Sequence, residues 1–206
     1  IYTLSLHDAL PIFDYDNESL TDKVKNYFAD LTQNRNVISQ MAEVQESIDQ
    51  LKQNINIITT YLNQLMAIKQ KMTFGKESYS CSIEFTWNDT IKGSTWHSYN
   101  IWFEVYNMIF NLAVSYYCLG KSVGKAATDK MGHKEASKYF KNAMYLFNVI
   151  KEEAITKIQE KELPYDLFPP HMDYCITLCE IQGQLEIYKI AKETSPNESS
   201  LHSTLL

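Results

Sequence analysis

Three lysines, Lys134, Lys138 and Lys141, stand four and three residues apart, a spacing that lines their ammonium groups along one flank of a helix. The chemistry of such a row is electrostatic. It is either solvated surface or a docking edge for an acidic helix, and composition alone leaves both readings open. The chain's net charge of −6 makes any basic site local, and it argues against a nucleic-acid surface, which needs clustered Lys and Arg to displace counterions.

Cys175 and Cys179, four residues apart, would also share a helix face, and two thiolates on one face are half of a tetrahedral metal site. Their neighbours Ile176, Leu178 and Ile181 are apolar and no histidine adjoins them, so they read as small core residues and not as ligands. With Cys81 and Cys118 they make four cysteines, too sparse for a disulfide framework and without a CxxC pair, which fits a reduced, cytoplasmic chain. His97, His133, His171 and His202 are scattered and read as surface or cap residues. The pairs Glu152/Glu153 and Glu160/Glu162 fall in a charged helix end, where solvation explains them. There is no phosphate-cradling glycine loop, HExxH or nucleophile elbow. The expectation is a protein that is not an enzyme, with no catalytic residue, metal or cofactor.

The elements that must position the lysines follow from pattern. A chain of 206 residues, 45% hydrophobic and 21% charged, can bury a core as one or two domains; six glycines and five prolines favour long regular elements. No apolar run reaches the roughly 18–20 residues of a membrane span. Residues 81–114 organise the rest. Ile83, Phe85 and Trp87 alternate with Ser82, Glu84 and Thr86, predicting a small β element from Ser80 to Trp87 with one face buried, stopped by Asn88, Asp89 and Gly93. From Tyr99 the period changes: Trp102, Tyr106, Ile109, Phe110 and Ala113 recur at three- and four-residue steps and predict the central helix.

Upstream, Leu20, Val24, Tyr27, Phe28 and Leu31 predict a short helix broken at residues 33–36. Val37, Met41, Val44, Ile48, Leu51, Ile55, Ile58, Leu62 and Leu65 then form a heptad seam. The seam reads as one long helix lying along others, because its polar face is rich in Gln and Asn; the alternative is a coiled-coil protein self-associating through residues 37–65. Downstream, Gly120 and Gly124 bracket a loop or frayed end, and a helix over about 134–160 buries Ala136, Phe140, Ala143, Phe147 and Ile150. Residues 163–170, with three prolines, predict a non-helical crossing, followed by a helix over 171–192. Residues 193–206 lack a packing period and are expected to be a disordered or aberrant tail. Residues 1–12 are similar to a translated sequencing-library adapter and are set aside, so His7 and Asp8 receive no functional reading. Repeated helix pairs of this kind predict an all-α, solenoid-like fold with a concave surface.

FTWNDTIKGS at 85–94 and FEVYNMIFNLAVSY at 103–116 resemble the Bro domain family, the banana-shaped helical scaffolds of the Alix and BROX-like type that recruit ESCRT-III subunits. YLNQLMAIKQKMTF at 61–74, EASKYFKNAMYLFNVIKE at 135–152 and ITLCEIQGQLEIYKIA at 176–191 fall in the family's order, so the resemblance spans roughly 28–191. It implies a TPR-like Bro domain fragment over residues 13–192, the N-terminal half of the domain. The implied role is a non-enzymatic adaptor of endosomal sorting, cytoplasmic and peripheral to endosomal membranes through its partners. The implied partner is the acidic, amphipathic C-terminal helix of an ESCRT-III (charged multivesicular body) subunit, laid in a concave groove. Position by position, the resemblance assigns that contact to Lys134, with Lys138 and Lys141 along its edge, and to Ile187, with Tyr188 beside it. It departs from the family after Lys192, where a tail stands in place of the helix that completes the groove, so exposed core and marginal stability or association are expected.

Overall fold

The computed structural model describes residues 18–41, 47–75, 81–159 and 163–194. Its elements are α1 (Glu18–Gln40), α2 (Ile48–Lys69), the strands β1 (Phe85–Asn88) and β2 (Thr95–Ser98), α3 (Ile101–Ala126), α4 (Lys130–Ile158), a 3-10 turn (Tyr165–Leu167) and α5 (Pro169–Thr194). The fold is all-α with a small β element, as the patterns predict. Residues 1–12, Val44, Ser80, Glu160, Glu162 and the tail from residue 195 lie outside the described residues.

α3 is the centre. Asn100 caps it, its side chain accepting from the Trp102 amide at 3.0 Å, and α3 packs on α2 at one side and α4 at the other, with α5 beyond α4. Two neighbours require more than one apolar stripe. Phe103, Val105, Met108 and Leu112 are accordingly as buried as the expected Tyr106, Phe110 and Ala113. The helix also runs through Gly120 and Gly124, where a loop was expected. Both glycines are buried contact points: a Cβ on Gly120 would fall 3.0 Å from the Phe140 ring, and one on Gly124 would fall 2.8 Å from Glu186 Oε1. They mark close helix approach instead of a break.

The upstream helices depart from expectation in the same way. α1 continues through residues 33–36, because these polar side chains have tertiary partners: Asn34 Nδ2 donates to Gln64 Oε1 at 2.9 Å, and Arg35 is fully buried. The heptad seam is split between α1 and α2, the latter capped by Ser47, whose hydroxyl accepts from the Gln50 amide at 3.2 Å. Leu51, Ile55, Ile58 and Leu65 of the seam are buried in the chain's own core, as expected of a helix lying along others.

Glu104 on α3 ties four segments together. Oε1 accepts from Arg35 Nε and, at 2.9 Å, from the Tyr61 hydroxyl; Oε2 accepts from Arg35 Nη2 at 3.1 Å and Trp87 Nε1 at 2.6 Å. The guanidinium also lies 4.6 Å from the Trp87 ring centroid. Burial, and then the neighbouring carboxylate, push the Tyr61 hydroxyl well above its ordinary titration range, so it stays a donor.

The β element is a hairpin, with Phe85 opposite Ser98 and Trp87 opposite Trp96. The expected buried face is present: Ile83, Phe85 and Trp87 are all buried. The second strand was not anticipated: its burial alternates, with Thr95 and His97 exposed, Trp96 half-buried and Ser98 buried, but the inward Ser98 is polar, so hydropathy did not mark the face. Gly93 closes the turn at φ 67°, a left-handed conformation that glycine adopts without strain. Asp89 organises it, its Oδ1 accepting from the Ile91 and Lys92 amides at 2.9 and 2.7 Å and its Oδ2 from the Tyr165 amide at 3.1 Å. Asp166 answers from the other side, accepting the Thr90 amide at 2.8 Å and the Thr90 hydroxyl. The proline-rich crossing therefore contains a 3-10 turn tied to the hairpin, and Pro169 and Pro170 open α5, where a missing N–H costs nothing.

Burial alone would push the Asp89 carboxyl up, but the Lys92, Tyr165 and Ile91 amides bind its charged form and hold it below the usual carboxylate value. A depressed folded value contributes stability above the unfolded pKa of about 3.9, lost as pH falls through the folded value. Asp89→Asn is therefore expected to lose less stability than the parent between about pH 6 and about pH 3 in urea melts. Equal losses in the two proteins would remove Asp89 from the acid response.

Candidate partner-binding groove

α4 is capped by Asp129, whose carboxylate accepts from the Gly132 amide at 2.8 Å, and it runs antiparallel to α5. Ala136, Phe140, Ala143, Phe147 and Ile150 are buried on its inner face as predicted, which leaves Lys134, Lys138 and Lys141 exposed on the outer one. At 1.5 Å rise per residue the three ammonium stems span about 10 Å of helix. Among the described residues, none of the three forms an ion pair; Lys52, Lys151 and Lys189 do.

Between the first turns of α4 and the last turns of α5 lies an open groove of about 740 Å³. Lys134, Lys138 and Lys141 line it together with Ile187, so four of the five residues assigned from sequence meet at one place. Tyr188 does not line it: one residue further round α5, it is half-buried outside the groove. Met131, Tyr139 and Ile190 were missed and supply most of the remaining apolar wall. The three-residue step from Ile187 to Ile190 was the available signal, since it puts both on one helix face. Tyr139 stacks on Tyr116 with ring centroids 6.3 Å apart and donates to Glu135 Oε1 at 2.7 Å. Burial, then that carboxylate, raise its hydroxyl to about 12, so it remains a neutral donor on the groove wall.

Behind the wall lies a polar contact between α4 and α5 that sequence spacing did not reveal. His133, expected at the surface, is buried, and its Nδ1 is 2.6 Å from Oε2 of the buried Glu186. Lys189 Nζ reaches Glu186 Oε1 at 2.7 Å, and Glu193 Oε1 lies 3.6 Å from His133 Nε2. The two partners are 53 residues apart in the chain, which is why neither helix pattern announced them.

The arrangement offers adhesion. Burial pushes the Cys175 and Cys179 thiols to about 11 and about 12, so they remain thiols at neutral pH and are poor nucleophiles. Among the described residues no group of three or more His, Cys, Asp or Glu is placed to hold a metal, and no helix is long and apolar enough to cross a membrane. A row of cations without ion pairs among the described residues, above an apolar wall, suits an amphipathic helix with an acidic face.

Comparisons with known proteins agree with the fold. A solved structure described as the ALIX BRO1 CHMP4C complex superposes with a TM-score of 0.61 at 19% sequence identity, covering 86% of this chain and 50% of that one. The chain thus spans about half the length of that relative. A comparison with curated proteins gave no match. The family model for the BRO1-like domain matches residues 13–204, nearly the whole chain, and the protein belongs to the BRO1-like domain family.

Proposed function

We propose that this chain is a non-enzymatic adaptor of endosomal sorting that binds the acidic, amphipathic C-terminal helix of an ESCRT-III subunit in the groove between α4 and α5. One observation carries the reading: the lysine edge and Ile187, more than 40 residues apart in the chain, line a single groove. The family, and a structural relative whose title names a complex with CHMP4C, support the class of partner. Lys134, Lys138 and Lys141 attract the partner's carboxylates while Ile187, Ile190 and Met131 receive its apolar stripe. Association with endosomal membranes is peripheral and runs through the partner.

The test is fluorescence anisotropy with a labelled CHMP4C C-terminal helix peptide and the full chain. Saturable binding is expected, and Lys134→Asp should weaken it about tenfold, equivalent to about 1.4 kcal/mol. Unchanged affinity in a folded variant would move the site elsewhere.

A further inference from the structure

We infer that His133, paired with Glu186 and facing Glu193, forms a proton-dependent clasp that sets the separation of the groove walls and so tunes helix binding with pH. The inference builds on the helix-binding reading above and adds a control to it. Each member of the pair stands one residue before a groove residue: His133 precedes Lys134 on α4, and Glu186 precedes Ile187 on α5. Their own side chains turn inward, only 7% and 4% of each residue being exposed. A change in this contact moves the backbone from which both walls project.

The geometry favours one protonation form. Both ring nitrogens face carboxylate oxygens, Nδ1 at 2.6 Å from Glu186 and Nε2 at 3.6 Å from Glu193. Ionised carboxylates accept and do not donate, so a neutral imidazole serves one of them and turns a lone pair toward the other. The imidazolium donates to Glu186 and stands as an ion pair with Glu193. From α5 the ring therefore meets two carboxylates, with the single ammonium of Lys189 bound to Glu186. α3 contributes Gly124, whose missing side chain leaves room for the Glu186 carboxylate, and among the described ion pairs none joins α3 to the cluster. On α4 the adjacent Lys134 and Glu135 are exposed and line the groove. Loss of the second imidazole proton removes the tie to Glu193 and loosens the end of α5 from the start of α4.

The test uses the full chain from about pH 5 to about pH 8, the range in which imidazoles change charge. By NMR, the amides of Lys134, Ile187 and Ile190 are expected to move with the same midpoint as the His133 ring, and to stay still in His133→Gln. Peptide affinity for the parent should be about fivefold higher at the acid end, the low end of site-to-site coupling, and flat in the variant. Glu193→Gln, at a side chain 38% exposed and so tolerant of substitution, should flatten the profile too and keeps the test decisive if His133→Gln fails to fold. Groove amides that ignore His133 overturn the clasp, as does a peptide affinity that is saturable but flat with pH in the parent. Absence of peptide binding at every pH overturns the helix-binding reading instead, and the clasp then stands or falls on the amide titration alone.

Discussion

Glu104→Leu is expected to cost about 3–5 kcal/mol of folding stability, a large share of what a domain of this size possesses. The size of the effect comes from what is left behind. Arg35 is fully buried with its Nη1 already without a partner among the described residues, and losing Glu104 strands the whole guanidinium in the core. The Tyr61 hydroxyl and the Trp87 indole N–H, both directed at the same carboxylate, lose their acceptor as well. Urea melts followed by circular dichroism read the loss. Adding Arg35→Met to Glu104→Leu should recover part of it, because the double variant buries no unpaired charge. A single variant that loses less than about 1 kcal/mol would mean that water reaches this network and that burial does not set its energetics.

Reversing the whole lysine edge, Lys134→Asp with Lys138→Asp and Lys141→Asp, is expected to weaken binding of the ESCRT-III helix by about a hundredfold or more, while leaving the fold intact. All three side chains are exposed and without ion pairs among the described residues, so no ion pair described there is lost. The parent's affinity should fall with added salt, and the variant's residual affinity should respond little or in the opposite sense. Anisotropy at two salt concentrations checks both expectations. A triple variant that binds like the parent would reduce the row to ordinary solvated surface, the other reading open at the level of sequence.

Periodicity carried the inner architecture. The stripe of α4 and the buried face of β1 are local properties, repeated every 3.6 or 2 residues, and both can be read from the chain; α5 was expected over 171–192 and runs two residues further at each end. The errors fall where a distant partner overrides a local preference. Residues 33–36 look like a break until Arg35 meets Glu104, 69 residues away. Gly120 and Gly124 look like a loop until Phe140 and Glu186 occupy the space a side chain would take. The groove was half legible for the same reason: Lys134, Lys138 and Lys141 share one helix and announce themselves, whereas Met131, Tyr139 and Ile190 acquire meaning only when α4 and α5 lie side by side.

The α4–α5 pair is fastened at both ends. At the closed end Asp166 locks the crossing to the hairpin through Thr90, along the shaft Lys151 reaches Asp173 at 2.5 Å, and at the open end His133 meets Glu186. Two helices held in this way have little freedom left to lose when a third is laid between them. Much of the conformational entropy that a looser groove would surrender on association has already been spent in folding, so a modest contact area can yield useful affinity.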